Sequence, residues 1–188
     1  MTFKAVFDFI LALILLPILA PIILMLILIS SIDTGEAGLF VQKRVGKNGK
    51  IFNIYKIRTM RGKTEPLLPD SNRITHLGEI LRKTKLDEIP QIFNILSGQM
   101  SFVGPRPDVA GYADKLQGDD RIILTVKPGI TGPAQLVFKN EEKILAKQEN
   151  PLQYNDEILW PEKVRINKEY ILNQNFFSDL KIIFRTFF

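Results

Sequence analysis

Residues 10–29 read ILALILLPILAPIILMLILI, twenty positions without a charge or a strong hydrogen-bonding side chain. As an α-helix this stretch would extend about 30 Å, the thickness of a bilayer's hydrocarbon core. Pro17 and Pro21 lie near its middle, four residues apart. Each removes a backbone N–H and crowds the carbonyl one turn earlier, at a cost of about 3 kcal/mol in a helix interior. Lipid offers no water to satisfy the carbonyls so released. A kink at Leu16–Pro21 is therefore predicted. Two topologies remain open: a kinked helix that crosses the membrane, and a re-entrant hairpin that returns to the face it entered. A cleavable signal peptide is not expected, because the apolar run is too long and no small-residue cleavage site precedes the basic residues.

Outward from this segment, charge is distributed unevenly. Lys4 precedes it, whereas Lys43, Arg44, Lys47, Lys50, Lys56, Arg58, Arg61 and Lys63 follow it closely. That asymmetry places the following domain on the cytoplasmic side, against anionic headgroups. The net charge of +5 is accordingly assigned to a membrane surface and to phosphate-bearing substrates rather than to nucleic acid, for which no motif is present. Within 188 residues there is room for one modest domain, here 33–188, beside the apolar segment 1–32. The absence of cysteine excludes disulfides and thiolate chemistry.

The domain reads as α+β, mainly helical with one small β-hairpin. Leu39-Phe40-Val41 and Ile51 to Tyr55 flank the turn Gly46-Lys47-Asn48-Gly49. Residues 61–74 are polar and proline-bearing, a predicted loop. Helices are predicted over Leu77–Lys83, from about Asp87 to a stop at Gly98, over Glu141–Gln148, and as one or two elements from Lys163 to Phe188. Gly104-Pro105-Arg106-Pro107 and Lys127 to Pro133 read as two stiff turns. Phe177, Leu180, Phe184 and Phe187 share one helical face, which suits core packing or a helix–helix contact on one reading and a helix lying on a bilayer on the other. Trp160 is a further interfacial candidate. His76, the only histidine, is expected to be structural or superficial, and a zinc site is not expected.

The chemistry concentrates in KLDEIPQIFNILSGQMSFVGPRP, residues 85–107. Pro90 is tolerable only in a first helical turn, which puts Asp87 and Glu88 at that helix's start. Adjacent acids usually mark a solvated face. Here Arg82 lies upstream and Arg106 sits in a proline-stiffened turn, and arginines suit bidentate capture of phosphate oxygens. An ionised carboxylate can attack phosphorus or hold Mg²⁺. No Walker motif or GxGxxG is present, so ordinary P-loop or dinucleotide binding is not indicated.

Taken in order, Phe40 to Gly46, Tyr55 to Met60, Leu86 to Gln91, Ser101 to Pro107, Pro128 to Gly132 with Ala134-Gln135, and Asp179 to Ile183 resemble the bacterial sugar transferase family, the small monotopic phosphoglycosyl transferases. The resemblance implies transfer of sugar-1-phosphate from a UDP-sugar to polyprenol (undecaprenyl) phosphate, with release of UMP. It implies Asp87 as nucleophile, forming a covalent phosphosugar intermediate and associating with Mg²⁺. Glu88 would activate the lipid phosphate. Arg82, Arg106 and, less strongly, Arg58 would bind substrate. The family's N-terminal helix is re-entrant, which favours the hairpin topology. The catalytic domain would then lie on the cytoplasmic face of a bacterial inner membrane, with interfacial amphipathic helices. The sequence departs from the family at Ala20-Pro21, where many members carry Ser-Pro, and at Lys139, where many carry arginine. Two rivals stand beside this expectation: direct transfer in a ternary complex, and a non-enzymatic membrane scaffold for glycan assembly. Sugar, prenol length and oligomeric state are not encoded in any recognisable motif.

Overall fold

The computed structural model describes residues 3–62 and 71–187. The core of the loop expected over 61–74, with Lys63, lies outside the described residues. The chain divides into two compact units: Met1–Arg44 with Phe52–Met100, and Val45–Ile51 with Ser101–Phe188.

In the first unit, helix α1 (Phe3–Thr34) has both prolines in its interior. Helical backbone continues on either side of them, so the proline pair does not end the helix. The fixed proline φ fits helical geometry, and the loss is confined to the missing N–H bonds and the crowded carbonyls. Ile23, Leu26, Ser30 and Thr34 form a buried stripe at helical spacing. Most other apolar side chains are exposed, among them Leu13, Ile14, Ile18, Leu24 and Leu28. A core helix of a soluble protein buries such residues; α1 is long and apolar enough to cross a membrane. By sequence the chain divides at residue 32, whereas packing joins α1 to residues 52–100 in one compact unit.

Strands β1 (Leu39–Val45) and β2 (Ile51–Ile57) form the expected hairpin. Its turn holds Asn48 at φ 58° and Gly49 at φ 75°. The end of β2 is tied to α1: Ser30 Oγ donates to the Arg58 carbonyl at 2.6 Å, and the Arg58 N–H donates to the Gly38 carbonyl at 2.7 Å. Helix α2 (His76–Thr84) starts at Thr75, whose Oγ1 accepts from the Gly78 N–H at 2.9 Å. Gly78 is pressed against Thr59, whose carbonyl would lie 2.2 Å from any Cβ there. His76 is exposed, as expected. A 3-10 helix, Leu86–Gln91, then leads into α3 (Ile92–Leu96), and Gly98 at φ 76° ends the run.

The second unit holds an element that the sequence did not reveal. β3 (Ser101–Val103) and β4 (Gly129–Thr131) pair in parallel, Ser101 opposite Gly129 and Val103 opposite Thr131. The two motifs read as separate stiff turns are thus partners. Gly104 N–H donates to the Thr131 carbonyl at 3.0 Å, and Gly129 N–H to the Pro105 carbonyl at 2.9 Å. A Cβ on Gly129 would fall 2.1 Å from the Gly104 nitrogen, so the contact is backbone on backbone. Short helices α4 (Pro133–Val137), α5 (Glu141–Leu145) and α6 (Pro151–Tyr154) follow. A π-helical turn, Asn155–Leu159, then leads into α7 (Trp160–Leu172), and α8 (Phe176–Phe187) ends the chain. Trp160 packs against Val45, Ala113, Ile123, Leu124 and Val164, edge-on to Tyr112 with ring centroids 5.3 Å apart. It is half-buried and contributes to this core.

On α8 the two apolar faces separate. Ile182 is buried with Val103 and Tyr170, and the Tyr170 hydroxyl donates to Asp179 Oδ1 at 2.6 Å. Phe177, Leu180 and Phe184 are 80%, 41% and 62% exposed, which removes core packing as the role of those three side chains.

Candidate active site

The site is built on the end of β2 and on the 3-10 helix that faces it. Lys85 closes α2 at φ 60°, ψ 15°, a left-handed conformation that a β-carbon tolerates poorly. This reversal turns the chain so that Asp87 and Glu88 face inward. Pro90 lacks the N–H an α-helix needs, and the segment is a 3-10 helix as far as Gln91. Asp87 is 8% and Glu88 5% exposed, so the pair is not the solvated start that adjacent acids usually make.

Two buried carboxylates need compensation. Lys56 Nζ lies 3.0 Å from Glu88 Oε1, and both side chains are largely shielded from water. Lys56 was legible only as one of a basic run and as part of the Tyr55–Met60 motif. Strand β2, on which it sits, is held by a second residue that sequence reasoning passed over. Asn94, fully buried, donates from Nδ2 to the Asn53 carbonyl at 2.7 Å and accepts from the Tyr55 N–H at 3.3 Å. It fastens the helix after the dyad to the strand that supplies the lysine.

Of the predicted substrate-binding residues, Arg82 belongs to the same unit. Its Nε donates to Thr59 Oγ1 at 3.0 Å and its Nη2 approaches Met60 Sδ at 3.1 Å, so it braces the chain just beyond β2. Arg58 pairs with Glu36 at 2.9 Å, donates from Nε to the Ala37 carbonyl at 2.7 Å, and covers the Phe40 ring. Those contacts make it a strut between the α1–β1 connection and the hairpin. Arg106 and Lys139 belong to the second unit. Arg106 follows β3 in its proline turn, half-buried. Lys139 Nζ donates to the Arg185 carbonyl at 3.0 Å, near the C-terminal end of α8. Pro17, Ala20 and Pro21 all lie within α1.

A surface groove of about 410 Å³ is lined by Leu116, Asp120, Trp160, Val164, Lys168 and neighbours. It contains none of the predicted site residues, and the dyad's burial and ion pairing, not cavity size, mark the candidate centre. Among the described residues no group of three or more His, Cys, Asp and Glu side chains converges as a metal cage.

The family described as bacterial sugar transferase matches residues 1–188. The chain belongs to the bacterial sugar transferase family. By that membership it is a transferase. It is 36% identical, over 97% of its own length and 84% of the relative's, to an uncharacterized sugar transferase, EpsL, of Bacillus subtilis (strain 168). It is 36% identical to the UDP-glucose:undecaprenyl-phosphate glucose-1-phosphate transferase of Klebsiella pneumoniae, matching the whole of this chain but 40% of that protein. It is 30% identical to the undecaprenyl-phosphate galactose phosphotransferase of Salmonella typhimurium (strain LT2), over 81% of this chain and 33% of the relative. This sugar transferase chain thus spans well under half of those two longer relatives.

Proposed function

We propose that the protein transfers sugar-1-phosphate from a UDP-sugar to undecaprenyl phosphate, with Asp87 as the nucleophile. The observation that carries this reading is the buried Asp87-Glu88 pair with Lys56 clamped on Glu88. The named activities of the Klebsiella and Salmonella relatives support the substrate class. In the first displacement a carboxylate oxygen of Asp87 bonds to the sugar-bearing phosphorus. The bond from that phosphorus to the bridging oxygen breaks, and UMP leaves with the electron pair. In the second, an oxygen of the lipid phosphate bonds to the same phosphorus, and the bond to Asp87 breaks. The carboxylate is restored, and the polyprenol-diphosphate-sugar departs. Glu88 takes the proton of the lipid phosphate, and Lys56 offsets the charge gathered there.

The donor set suits Mg²⁺, which is commonly held by one or two carboxylates together with substrate phosphates rather than by an all-protein cage. With Glu88 engaged by Lys56, Asp87 is the carboxylate of the dyad to hold it. When bound, the ion would neutralise charge on the phosphate oxygens as UMP departs. Within the dyad's own unit, Arg82 is the guanidinium group suited to phosphate oxygens.

Replacement of Asp87 by Asn should abolish UMP release, including the single-turnover burst without lipid acceptor, by at least about a thousandfold. Intact-protein mass spectrometry of the wild type with donor alone should detect a phosphosugar adduct at Asp87. An adduct-free enzyme that still turns over would favour direct transfer in a ternary complex. Full turnover by the Asn variant would remove Asp87 as nucleophile.

The same reading takes α1 as a re-entrant anchor bent at Pro17 and Pro21, the catalytic residues on the cytoplasmic face, and the exposed phenylalanines of α8 in the headgroup region. Support comes from the outward apolar face of α1 and from Phe177, Leu180 and Phe184 beside Lys181 and Arg185. The cysteine-free chain makes single-cysteine labelling clean. Thr2→Cys and Lys147→Cys should react from the same side of the membrane. Labelling from opposite sides would leave a spanning helix.

A further inference from the structure

Gln91 ends the 3-10 helix that carries the dyad and is 2% exposed. Among the described residues, no acceptor takes a hydrogen bond from its side-chain Nε2. Leaving a buried donor in that state is costly, and native structures keep few of them. Gln135 Oε1 and Asn167 Oδ1 are also buried without a partner, but both are carbonyl-type acceptors, which tolerate this better than an N–H does. Residues three apart eclipse in a 3-10 helix, so Gln91 shares the face of Glu88, the face that meets Lys56. A bridging water or an arriving acceptor completes such a donor, and here either would lie beside two carboxylates and one committed ammonium group.

We propose that Gln91 is a substrate-binding residue, its side-chain amide donating to a non-bridging oxygen of the phosphoryl group being transferred. The inference rests on the phosphotransferase reading above. A neutral donor is well suited to this position. It attracts an anionic oxygen without adding a second cation that would draw Glu88 away from Lys56. Its hydrogen bond is made only when the phosphoryl group is present, so the cost of the orphaned donor in the resting protein is recovered on binding.

The variants Gln91→Leu and Gln91→Glu separate this role from a structural one. A hydrogen bond to a charged group is worth about 1.5–3 kcal/mol, so Gln91→Leu should lower kcat/KM for UMP release by about 10–100-fold. Its urea midpoint should stay equal or rise, because an apolar side chain removes the orphaned donor. Gln91→Glu, which turns an acceptor toward an anion, should lose more activity. If the leucine branch prevents folding, Gln91→Met carries the same test with an unbranched chain. Unchanged kcat/KM in a folded apolar variant overturns the inference. So does a lowered midpoint with normal kcat/KM, which would make Gln91 a structural residue. If the wild type releases no UMP from any donor in a panel, the phosphotransferase reading fails. Thermal unfolding in millimolar inorganic phosphate then still reads the amide. Phosphate should raise the wild-type midpoint more than that of Gln91→Leu, and an equal response overturns the inference.

Discussion

Lys56 with Glu88 in the first unit, and Arg165 with Glu162 and Glu169 on α7 in the second, are ion pairs of the same chemistry in opposite surroundings. The first pair is buried, with side chains 15% and 6% exposed. The second is a surface fork, with Arg165 56% exposed. The α7 residues are three and four apart on one helix, so local geometry brings them together whatever the rest of the chain does. Hydrogen bonding from Arg165 draws the Glu162 carboxyl below its usual range, and the Arg165 guanidinium is held correspondingly more basic. Lys56 and Glu88 are 32 residues apart and meet only because β2 and the 3-10 helix are assembled against each other. The difference teaches that an ion pair's importance follows from its solvent and its sequence separation rather than its length. A solvated pair exchanges its partner for water at little cost. A buried charge that loses its partner has nothing to replace it.

The comparison breaks most readily at Lys56. Replacing it with Met should destabilise the protein by about 3–5 kcal/mol, measured by urea unfolding, because Glu88 is left buried without its cation. A second replacement, Glu88→Gln, should recover much of that loss without restoring turnover. A Lys56→Met protein as stable as wild type would show that the pair places no such constraint on the fold.

An intermediate case lies at Tyr112, half-buried, whose hydroxyl donates to Asp156 at 2.6 Å and accepts from Asn155 at 3.2 Å. Burial, then the hydrogen bond and charge of Asp156, push its phenol up to about 12 from 10.0. The unfolded chain therefore loses this proton first. The associated stability is fully present below pH 10 and is lost as pH rises toward 12. Tyr112→Phe should cost about 1 kcal/mol at neutral pH and flatten the stability profile over that alkaline window. An unchanged alkaline slope would remove Tyr112 as its source. The smallest effect is expected at Arg165. Arg165→Met should leave the unfolding midpoint and the rate of UMP release within experimental scatter, and a clear fall in either would mean that the surface fork is coupled to the rest of the unit.

Much of the architecture was legible where structure is local. The hairpin turn and the stop at Gly98 follow from turn chemistry within a few residues, whereas the cap at Thr75, just before the helix expected from Leu77, was not read. The dyad was legible as a place but not as an environment. Nothing in Leu86-Asp87-Glu88-Ile89 distinguishes a solvated helix start from a buried one, and the turn inward at Lys85 depends on a left-handed conformation unusual for lysine. Lys56 stayed hidden among cations of similar appearance because its partner lies in a different element. The resemblance to a family marked Asp87 and Glu88 and included Gln91 in the same matching segment, but it gave Gln91 no role and carried no signal for Asn94.

By itself the sequence determined the apolar N-terminal helix, the excess of cations after it, the hairpin and the longer helices, though not α4 or α6, because these depend on composition and on spacings of a few residues. Tertiary structure decided which charges are buried, that two proline–glycine turns pair as parallel strands, and which face of α8 is exposed. α8 carries apolar residues on both faces, and periodicity cannot rank them. Only packing against β3 and β4 selects Ile182 as the inner side and leaves Phe177 and Phe184 outward. The physical reason is common to all three: burial is a property of what lies opposite a residue, and in this chain the opposite partner is commonly tens of residues away.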